Sequence, residues 1–282
     1  GRNGIFPVVL GLDGKLRAEG PKTGFSLPGT IQGEGKLAGI PVLFVRTAGC
    51  NLRCTWMNEP GEVDICDTPY SSHNVTGYEE WESVDIVRIL ELNRGNIRHI
   101  VISGGEPTIQ STALTNLLSM IKKKLGMHIT VETNGVIYVP ELAGNVDLFS
   151  ISPKLRSSEP SETKNKKLSK PVDPHFIHDH AVLRRNTDAI QKYINACMHM
   201  GSYYGDQPGT EPTKRTDKDF QLKFVVAREE DEREIQEDFL SQLGFVKNED
   251  VLVMPLGSTP ELTRKHTELA AKMAIRNGCR FT

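Results

Sequence analysis

No stretch of this chain approaches the roughly 18 consecutive apolar residues that a membrane-spanning helix needs, so the sequence does not predict a membrane span. The early run I-F-P-V-V-L is too short for a secretory core, and no small-residue cleavage site follows it. Charge of one sign is also missing. Lys and Arg number 34, Asp and Glu 36, and the net of −2 offers no global basic field to a nucleic-acid backbone. No internal repeat is evident. Cysteine is sparse, at five residues in 282, and a reducing, cytoplasmic setting is expected. In such a setting, clustered cysteines are metal ligands or redox groups more often than disulfides. What remains is an ordinary globular composition, 38% apolar and 25% charged, in a chain long enough to bury a substantial core.

Three of the five cysteines fall in one stretch, C-N-L-R-C-T-W-M-N-E-P-G-E-V-D-I-C-D, at Cys50, Cys54 and Cys66. Four thiolates would close a zinc tetrahedron or complete an iron–sulfur cluster. Three leave one metal position open, where a substrate or cofactor can bind. The expectation is a [4Fe–4S] cluster with one iron free for S-adenosylmethionine. Pro60 and Gly61 let the long gap before Cys66 fold out and return. The rivals are incidental buried thiols and a structural zinc site completed by His73. Cys197 and Cys279 are isolated and read as core thiols.

Around this stretch the pattern alternates between strand and helix. Strands are expected at Pro41–Thr47, Ile97–Ser103, His128–Val131, Val146–Ile151, Phe220–Val226 and Asp250–Met254. Helices are expected from about Trp81 to Asn93, with Val84, Val87 and Leu90 on the apolar side, then at Thr112–Leu125, Glu230–Leu243 and Pro260–Arg276. This α/β alternation favours a parallel sheet with right-handed crossovers. Periodicity alone fits either an open partial barrel or a doubly wound sheet. Residues 1–24 read as an N-terminal extension. Residues 155–219 break the rhythm as a polar, mobile surface excursion, with one helix from about Asn186 to Met200.

Several motifs sit where α/β folds place their sites, just past the carboxyl ends of strands. The first strand runs directly into Cys50, and Arg46 near its end is either paired or aimed at an anion. Gly104-Gly105-Glu106-Pro107 would free backbone for a small polar ligand, with Glu106 as an acceptor. Ser152-Pro153-Lys154 could meet a carboxylate or lie in solvent. Gly29, Gly33 and Gly35 make a loop that could approach a ligand or be a plain turn. His175, His178 and His180 have metal-like spacing but read as a solvated loop, and Arg184 and Arg185 as a solvated pair.

In their order, these motifs resemble the radical S-adenosylmethionine enzymes, and within them the 7-carboxy-7-deazaguanine synthases of queuosine-type biosynthesis, which serve a tRNA modification pathway. The resemblance rests on I-Q-G-E-G (31–35), G-x-P-x-x-F-x-R (39–46), G-C-N-L-R-C (49–54), C-D-T (66–68), S-G-G-E-P (103–107), E-T-N-G (132–135), S-P-K (152–154), L-K-F-V-V (222–226) and M-P-L-G (254–257). It covers roughly residues 25–155 and 220–282. The family's commoner pattern has two residues between the second and third cysteines. Met57 stands where that third cysteine would fall, and an insertion of about nine residues is read before an intact C-D-T. A further short tail after R-F-T is also expected.

The resemblance implies a single partial (β/α)6 barrel over residues 25–282, with an extended cluster-binding loop and the 155–219 excursion inserted. It implies cluster ligation by Cys50, Cys54 and Cys66, and Mg²⁺ held by Thr68. It implies contacts to S-adenosylmethionine from Ile65, Asp67, Gly105, Ser152, Pro153, Lys154, Met254, Pro255, Leu256 and Gly257. The substrate would meet Ile31, Gln32, Gly33, Arg46 and Ser103. The implied reaction converts 6-carboxy-5,6,7,8-tetrahydropterin to 7-carboxy-7-deazaguanine with loss of ammonia. No protein residue would be the primary catalyst, because the radical is generated on the cofactor. A flavodoxin- or ferredoxin-like electron donor and a homodimer are implied, with no direct nucleic-acid or membrane partner. The alternatives are a radical S-adenosylmethionine activase acting on a protein and a non-catalytic zinc module.

Overall fold

The computed structural model describes residues 8–10, 16–18, 29–59, 62–75, 78, 80–199, 213–214, 217–257 and 259–282. In chain order the strands are β1 (Val8–Leu10), β2 (Leu16–Ala18), β3 (Thr30–Ile31), β4 (Pro41–Thr47), β5 (Thr55–Glu59), β6 (Glu62–Ile65), β7 (His99–Gly104), β8 (His128–Thr133), β9 (Leu148–Ile151), β10 (Met198–His199), β11 (Thr213–Lys214), β12 (Asp219–Val226), β13 (Val251–Pro255) and β14 (Arg280–Phe281). The helices are α1 (Ser83–Asn93), α2 (Ser111–Leu125), α3 (Glu162–Asn165), α4 (Pro174–Leu183), α5 (Thr187–Ala196), α6 (Glu230–Glu234) and α7 (Pro260–Asn277). Residues 1–24 are described only where β1 pairs with β2, and most of the Tyr203–Lys214 loop lies outside the described residues.

The main sheet has eight strands in the order β14-β13-β12-β9-β8-β7-β4-β3. Its six long strands follow one another in sequence order and all pair in parallel. A doubly wound sheet would reverse direction at a switch point. None occurs here, so the architecture is the partial (β/α)6 barrel. The expected strands fall within two residues of those observed.

Local chemistry sets the helix ends. Thr259 caps α7 by accepting from the Leu262 N–H at 3.3 Å, Pro260 follows at the first position, and Gly278 ends the helix in the left-handed region. Gly126 ends α2 the same way. The expected helix over Glu230–Leu243 is α6 continued by a π-helical turn at Ile235–Phe239 and a short 3₁₀ turn. On α1, Val87 and Leu90 are buried but Val84 is exposed, so only part of the expected apolar side faces the core.

Alternate rows of side chains divide the sheet into two faces. Val45, Ile102, Val131, Phe149 and Phe220 are in register across five strands and join the main hydrophobic core under the helices. One residue further along, Arg46 is level with Ser103, and Glu132 with Ser150 and Gln221. Ser103 donates to Glu132 at 2.6 Å, which joins the two halves of that polar row. It lines the inside of the barrel.

The turn between β3 and β4 closes the open side. Lys36 Nζ reaches Asp219, at the start of β12, at 2.8 Å and Asp250, in the turn just before β13, at 2.7 Å. The Gly35 N–H donates to Thr282 Oγ1 at 2.8 Å. Gly35 has φ +80°, and a Cβ there would lie 2.5 Å from the Gln221 side chain. This strap therefore needs glycine for both conformation and space.

The segment after β9 corrects the expectation of a mobile polar excursion. Residues 156–196 form a 3₁₀ turn and helices α3, α4 and α5. Ile190, Tyr193 and Ile194 join the main core, because α5 presents an apolar side to the sheet. The expected helix from Asn186 to Met200 ends at Ala196, and β10 follows. Arg184 corrects the solvated pair. It is 2% exposed, bonds Glu159 through Nε, and meets Glu234 at 2.5 Å and the Lys154 carbonyl at 3.2 Å. Arg185, its neighbour, is exposed and pairs with Asp238.

Candidate active site at the barrel mouth

The Cys50–Cys66 loop lies at the carboxyl end of β4. The gap before Cys66 is an antiparallel hairpin, β5 with β6, in which Thr55 pairs with Ile65 and Met57 with Val63. This register sets Cys66 opposite Cys54, and the Cys66 N–H donates to the Cys54 carbonyl at 3.2 Å. A separation of eleven residues thus becomes one hydrogen bond. Pro60 and Gly61 lie outside the described residues. Met57 is 39% exposed. Trp56 turns inward with Leu52, Cys54, Val136 and Leu256, a small apolar cluster that Cys50 and Val225 join.

The thiols sense one another. Burial pushes Cys50 up to about 11, with Glu106 and Cys66 adding to the rise, while the Leu52 N–H and Lys154 oppose it. Burial also raises Cys54, and Lys154 again opposes. Lys154 donates to Ser152 Oγ at 2.9 Å, and its cation is close enough to act on both Cys50 and Cys54. Metal binding must displace these thiol protons, and the lysine favours the thiolates. Thr68 Oγ1 lies 3.3 Å from Cys66 Sγ, and Asp67 Oδ1 lies 3.5 Å from the same sulfur. Among the described residues, no three Cys, His, Asp or Glu side chains converge on a single-ion site. Cys50 and Cys54 each feel the charge of Cys66, so the three thiols share one neighbourhood.

The G-G-E-P turn supports this loop, and Glu106 is not the ligand acceptor that was expected. Its carboxylate is fully buried and accepts from the Thr108 N–H, Thr108 Oγ1, Thr133 Oγ1 and the Asn134 N–H at 2.6–3.1 Å. Burial raises its pKa and these donors oppose the rise. The Gly105 N–H is bonded to Thr47 O. A Cβ on Gly105 would lie 2.1 Å from Gly49 O and 2.4 Å from Ser71 O, so glycine lets the two loops close on each other. Asn134 Nδ2 then donates to Asn51 Oδ1 at 2.8 Å, tying the E-T-N-G turn to the cysteine loop.

Helix α4 covers the other side. The Arg53 N–H donates to His180 Nδ1 at 3.2 Å, and the Arg53 guanidinium stacks on Phe176 at 3.8 Å. His180 is fully buried, while His175 and His178 are exposed. These histidines belong to a helix, and they form no ligand set. With Nδ1 accepting, His180 Nε2 carries the proton and donates to Ser158 Oγ at 3.3 Å, which donates to Leu155 O. Burial pushes this imidazole down to about 3. His73, the rival zinc ligand, is lowered by burial and Arg53 to about 4, and its Nε2 is buried without a partner among the described residues.

The remaining candidates are spread more widely: Arg46 and Ser103 stand in the interior row, whereas Ile31 pairs with Pro41 at the start of β4, the end away from the cysteines. Met254 is half-buried, Pro255 and Leu256 are buried, and Leu256 shares the apolar cluster with Cys54. Gly257 packs against Thr263 at the start of α7. Ile31 and Gly33 are exposed; Gln32 is buried, its backbone bonded to Ile40 and Gly39. Arg46 is exposed and has no ion-pair partner among the described residues. Glu34, Glu132, Gln221 and Lys223 were missed as interior groups. Lys223 donates to Glu34 at 2.9 Å. Burial alone would lower the Lys223 ammonium, but Glu132 and Glu34 outweigh it and hold it above its ordinary value. The signal was polar alternation in F-Q-L-K-F, where period-two spacing places Gln221 and Lys223 on one face.

The sequence matches the family described as the Radical SAM superfamily over residues 44–175. It is 34% identical to the 7-carboxy-7-deazaguanine synthase of Halobacterium salinarum, over 90% of this chain and 84% of the relative. To the synthase of Rhodopirellula baltica it is 30% identical, over 89% and 79%. The fold is similar to the crystal structure of QueE from Escherichia coli, with TM-score 0.51 and 21% identity over 90% of this chain and 89% of that one. Hairpin, thiol neighbourhood and sequence likeness agree: the chain belongs to the 7-carboxy-7-deazaguanine synthase family of the radical SAM superfamily.

Proposed function

We propose that this protein converts 6-carboxy-5,6,7,8-tetrahydropterin to 7-carboxy-7-deazaguanine with loss of ammonia, a carbon–nitrogen lyase step in queuosine-type biosynthesis. The observation that carries the reading is the β5–β6 register, which sets Cys66 beside Cys54 at the mouth of a barrel lined with polar groups. Cys50, Cys54 and Cys66 would hold a [4Fe–4S] cluster, and the donor set fits it: three thiols on one loop, with a lysine that favours the ionised forms of Cys50 and Cys54. When bound, the cluster and S-adenosylmethionine supply the hydrogen-abstracting radical.

The chain's own residues bind, orient and shield. Ser152, Pro153, Lys154, Gly105, Ile65, Asp67 and the 254–257 turn surround the position of S-adenosylmethionine. Arg46 binds the substrate carboxylate, and a bidentate guanidinium also fixes its plane. Ser103, Glu132 and Lys223 would hold the ring's polar edge, helped by Ile31, Gln32 and Gly33 from the strap. Thr68 and Asp67 offer the hard oxygen donors that Mg²⁺ prefers, and the ion would neutralise the carboxylate. The apolar cluster around Trp56 keeps water from the reacting atoms. Residues 25–282 are read as one catalytic domain, working as a homodimer in the cytoplasm.

The test is anaerobic reconstitution followed by turnover. About four irons per chain and a brown chromophore are expected, then conversion of the carboxylated tetrahydropterin in the presence of reductant and Mg²⁺. One zinc and no colour would sink the reading. A loaded cluster that cleaves S-adenosylmethionine but ignores the pterin would instead point to an activase.

A further inference from the structure

The polar segment after β9 brings a cation to the cysteine loop. Lys164 lies in α3, where Ser161 Oγ accepts from its N–H at 3.2 Å and fixes the root of the side chain. From there Lys164 Nζ donates to Thr55 O at 2.8 Å, Ser157 O at 2.8 Å and Glu159 O at 2.6 Å. Three acceptors use all three hydrogens of an ammonium, whereas a neutral amine has only two to give. The geometry therefore calls for the charged form. Thr55 is fully buried and follows Cys54 directly, and its Oγ1 donates to Glu159 O at 3.3 Å. On the other side of Cys54, the Arg53 N–H is bonded to His180. Residues on both sides of this cysteine are held by the 157–180 segment.

The carboxylates that act on Lys164, Glu159 and Asp231, pair instead with Arg184 and Arg228. Burial and the Arg228 charge pull the Lys164 ammonium down to about 8, and Glu159, Cys54 and Asp231 oppose that fall. The group is a cation at neutral pH, and Cys54 lies within its electrostatic reach. A cation fixed beside a cluster ligand favours the reduced state, because that state carries one more negative charge. Lys164 is half-buried, so solvent and salt screen this effect only in part.

We propose that Lys164 is a positioning residue that anchors the Cys54 side of the loop and raises the reduction potential of a cluster bound there. This inference rests on the function proposed above. Lys164 acts through the loop and touches neither substrate nor S-adenosylmethionine. The couple is a one-electron one: titanium(III) citrate, the reductant in the test, loses one electron and the cluster gains it, with no bond made or broken and no proton moved.

The test is a redox titration of the reconstituted holoenzyme, followed by electron paramagnetic resonance, in wild type, K164M, K164Q and K164R, with the exposed K167M as control. Methionine removes the charge and the donors. Glutamine removes the charge but keeps an amide that can donate to Thr55 O, and arginine keeps the charge. At the wild-type midpoint, the ratio of reduced to oxidised cluster should fall about tenfold in K164M and K164Q, a downward shift of about 59 mV for a one-electron couple. K164R should recover most of the shift, and K167M should show none. A wild-type midpoint in either neutral variant that assembles its cluster would overturn the assignment. So would a K164R midpoint as low as theirs, because charge would then not be the cause. Loss of the cluster from both neutral variants would overturn it too, since the lysine would then only hold the loop. A wild type that assembles no cluster would instead overturn the function on which the proposal rests.

Discussion

The two faces of the central sheet are built from the same strands, one residue apart. Outward, Val45, Ile102, Val131, Phe149 and Phe220 pack under the helices, and the last four are at most 1% exposed. Inward, Arg46, Ser103, Glu132, Ser150, Gln221 and Lys223 bring charges and hydroxyls into a confined space. An ordinary core would not tolerate them, because buried polar groups cost free energy unless paired. Here all but Arg46 are paired: Ser103 with Glu132, Gln221 with Ser150, and Lys223 with Glu34 of the strap. The outer face holds the fold together. The inner one gathers the polar groups, with Arg46 exposed beside them.

The comparison can be broken first at the mouth. Cys66→Ala should abolish cluster assembly and turnover while the far-ultraviolet spectrum stays native; Met57→Ala should retain both. Iron analysis reads the difference, and normal iron in Cys66→Ala would mean that the third ligand lies elsewhere. On the outer face, Phe149→Ala should cost about 3–5 kcal/mol of stability by leaving a cavity. Denaturant unfolding measures this, and the surviving folded fraction should keep its normal KM. On the inner face, Glu132→Gln should reverse the pattern. The loss of a charged acceptor should raise the KM for the pterin about 10- to 100-fold, with far less change in unfolding midpoint than Phe149→Ala. An unchanged KM there would detach the polar row from the substrate.

The smallest effect sharpens the role of α4, which belongs to neither face. His180 is held near 3 in the folded protein, well below its ordinary 6.5. Between those values the unfolded chain binds the proton and the folded chain refuses it. Stability is therefore full above about pH 6.5 and declines as the pH falls toward 3. His180→Gln should remove part of that slope, visible as a flatter plot of thermal midpoint against pH. An identical slope would assign the acid sensitivity to other groups.

Much of the local structure was legible beforehand because it follows from short-range rules. Pro41–Thr47 is a strand of the expected length, and the caps of α7 stand at Thr259, Pro260 and Gly278. The failures share a cause. The segment 155–184 reads as solvated because its composition is polar, yet Arg184, His180 and Lys164 are occupied by partners from other parts of the chain. Glu106 was read as a ligand group from its position after a glycine pair. Its acceptors are taken by Thr108, Thr133 and Asn134, two of which lie some 27 residues away. Composition reports what a residue would do in water, whereas pairing depends on which distant donors the fold brings to it.

By itself, the sequence determined the α/β alternation, the placement of the cysteine loop after the first long strand, and the chemical types available there. Those depend on periodicity, turn residues and thiol spacing, all of them local. Only the tertiary structure decided that the strands run in unbroken order as a partial barrel. It also decided that a hairpin register brings Cys66 to Cys54, that a strap from Gly35 and Lys36 closes the open side, and that Glu34, Glu132 and Lys223 meet inside. Each of these joins residues whose separation along the chain carries no signal of their proximity. Their meeting is set by how the sheet orders its strands and how the pleat turns alternate side chains inward.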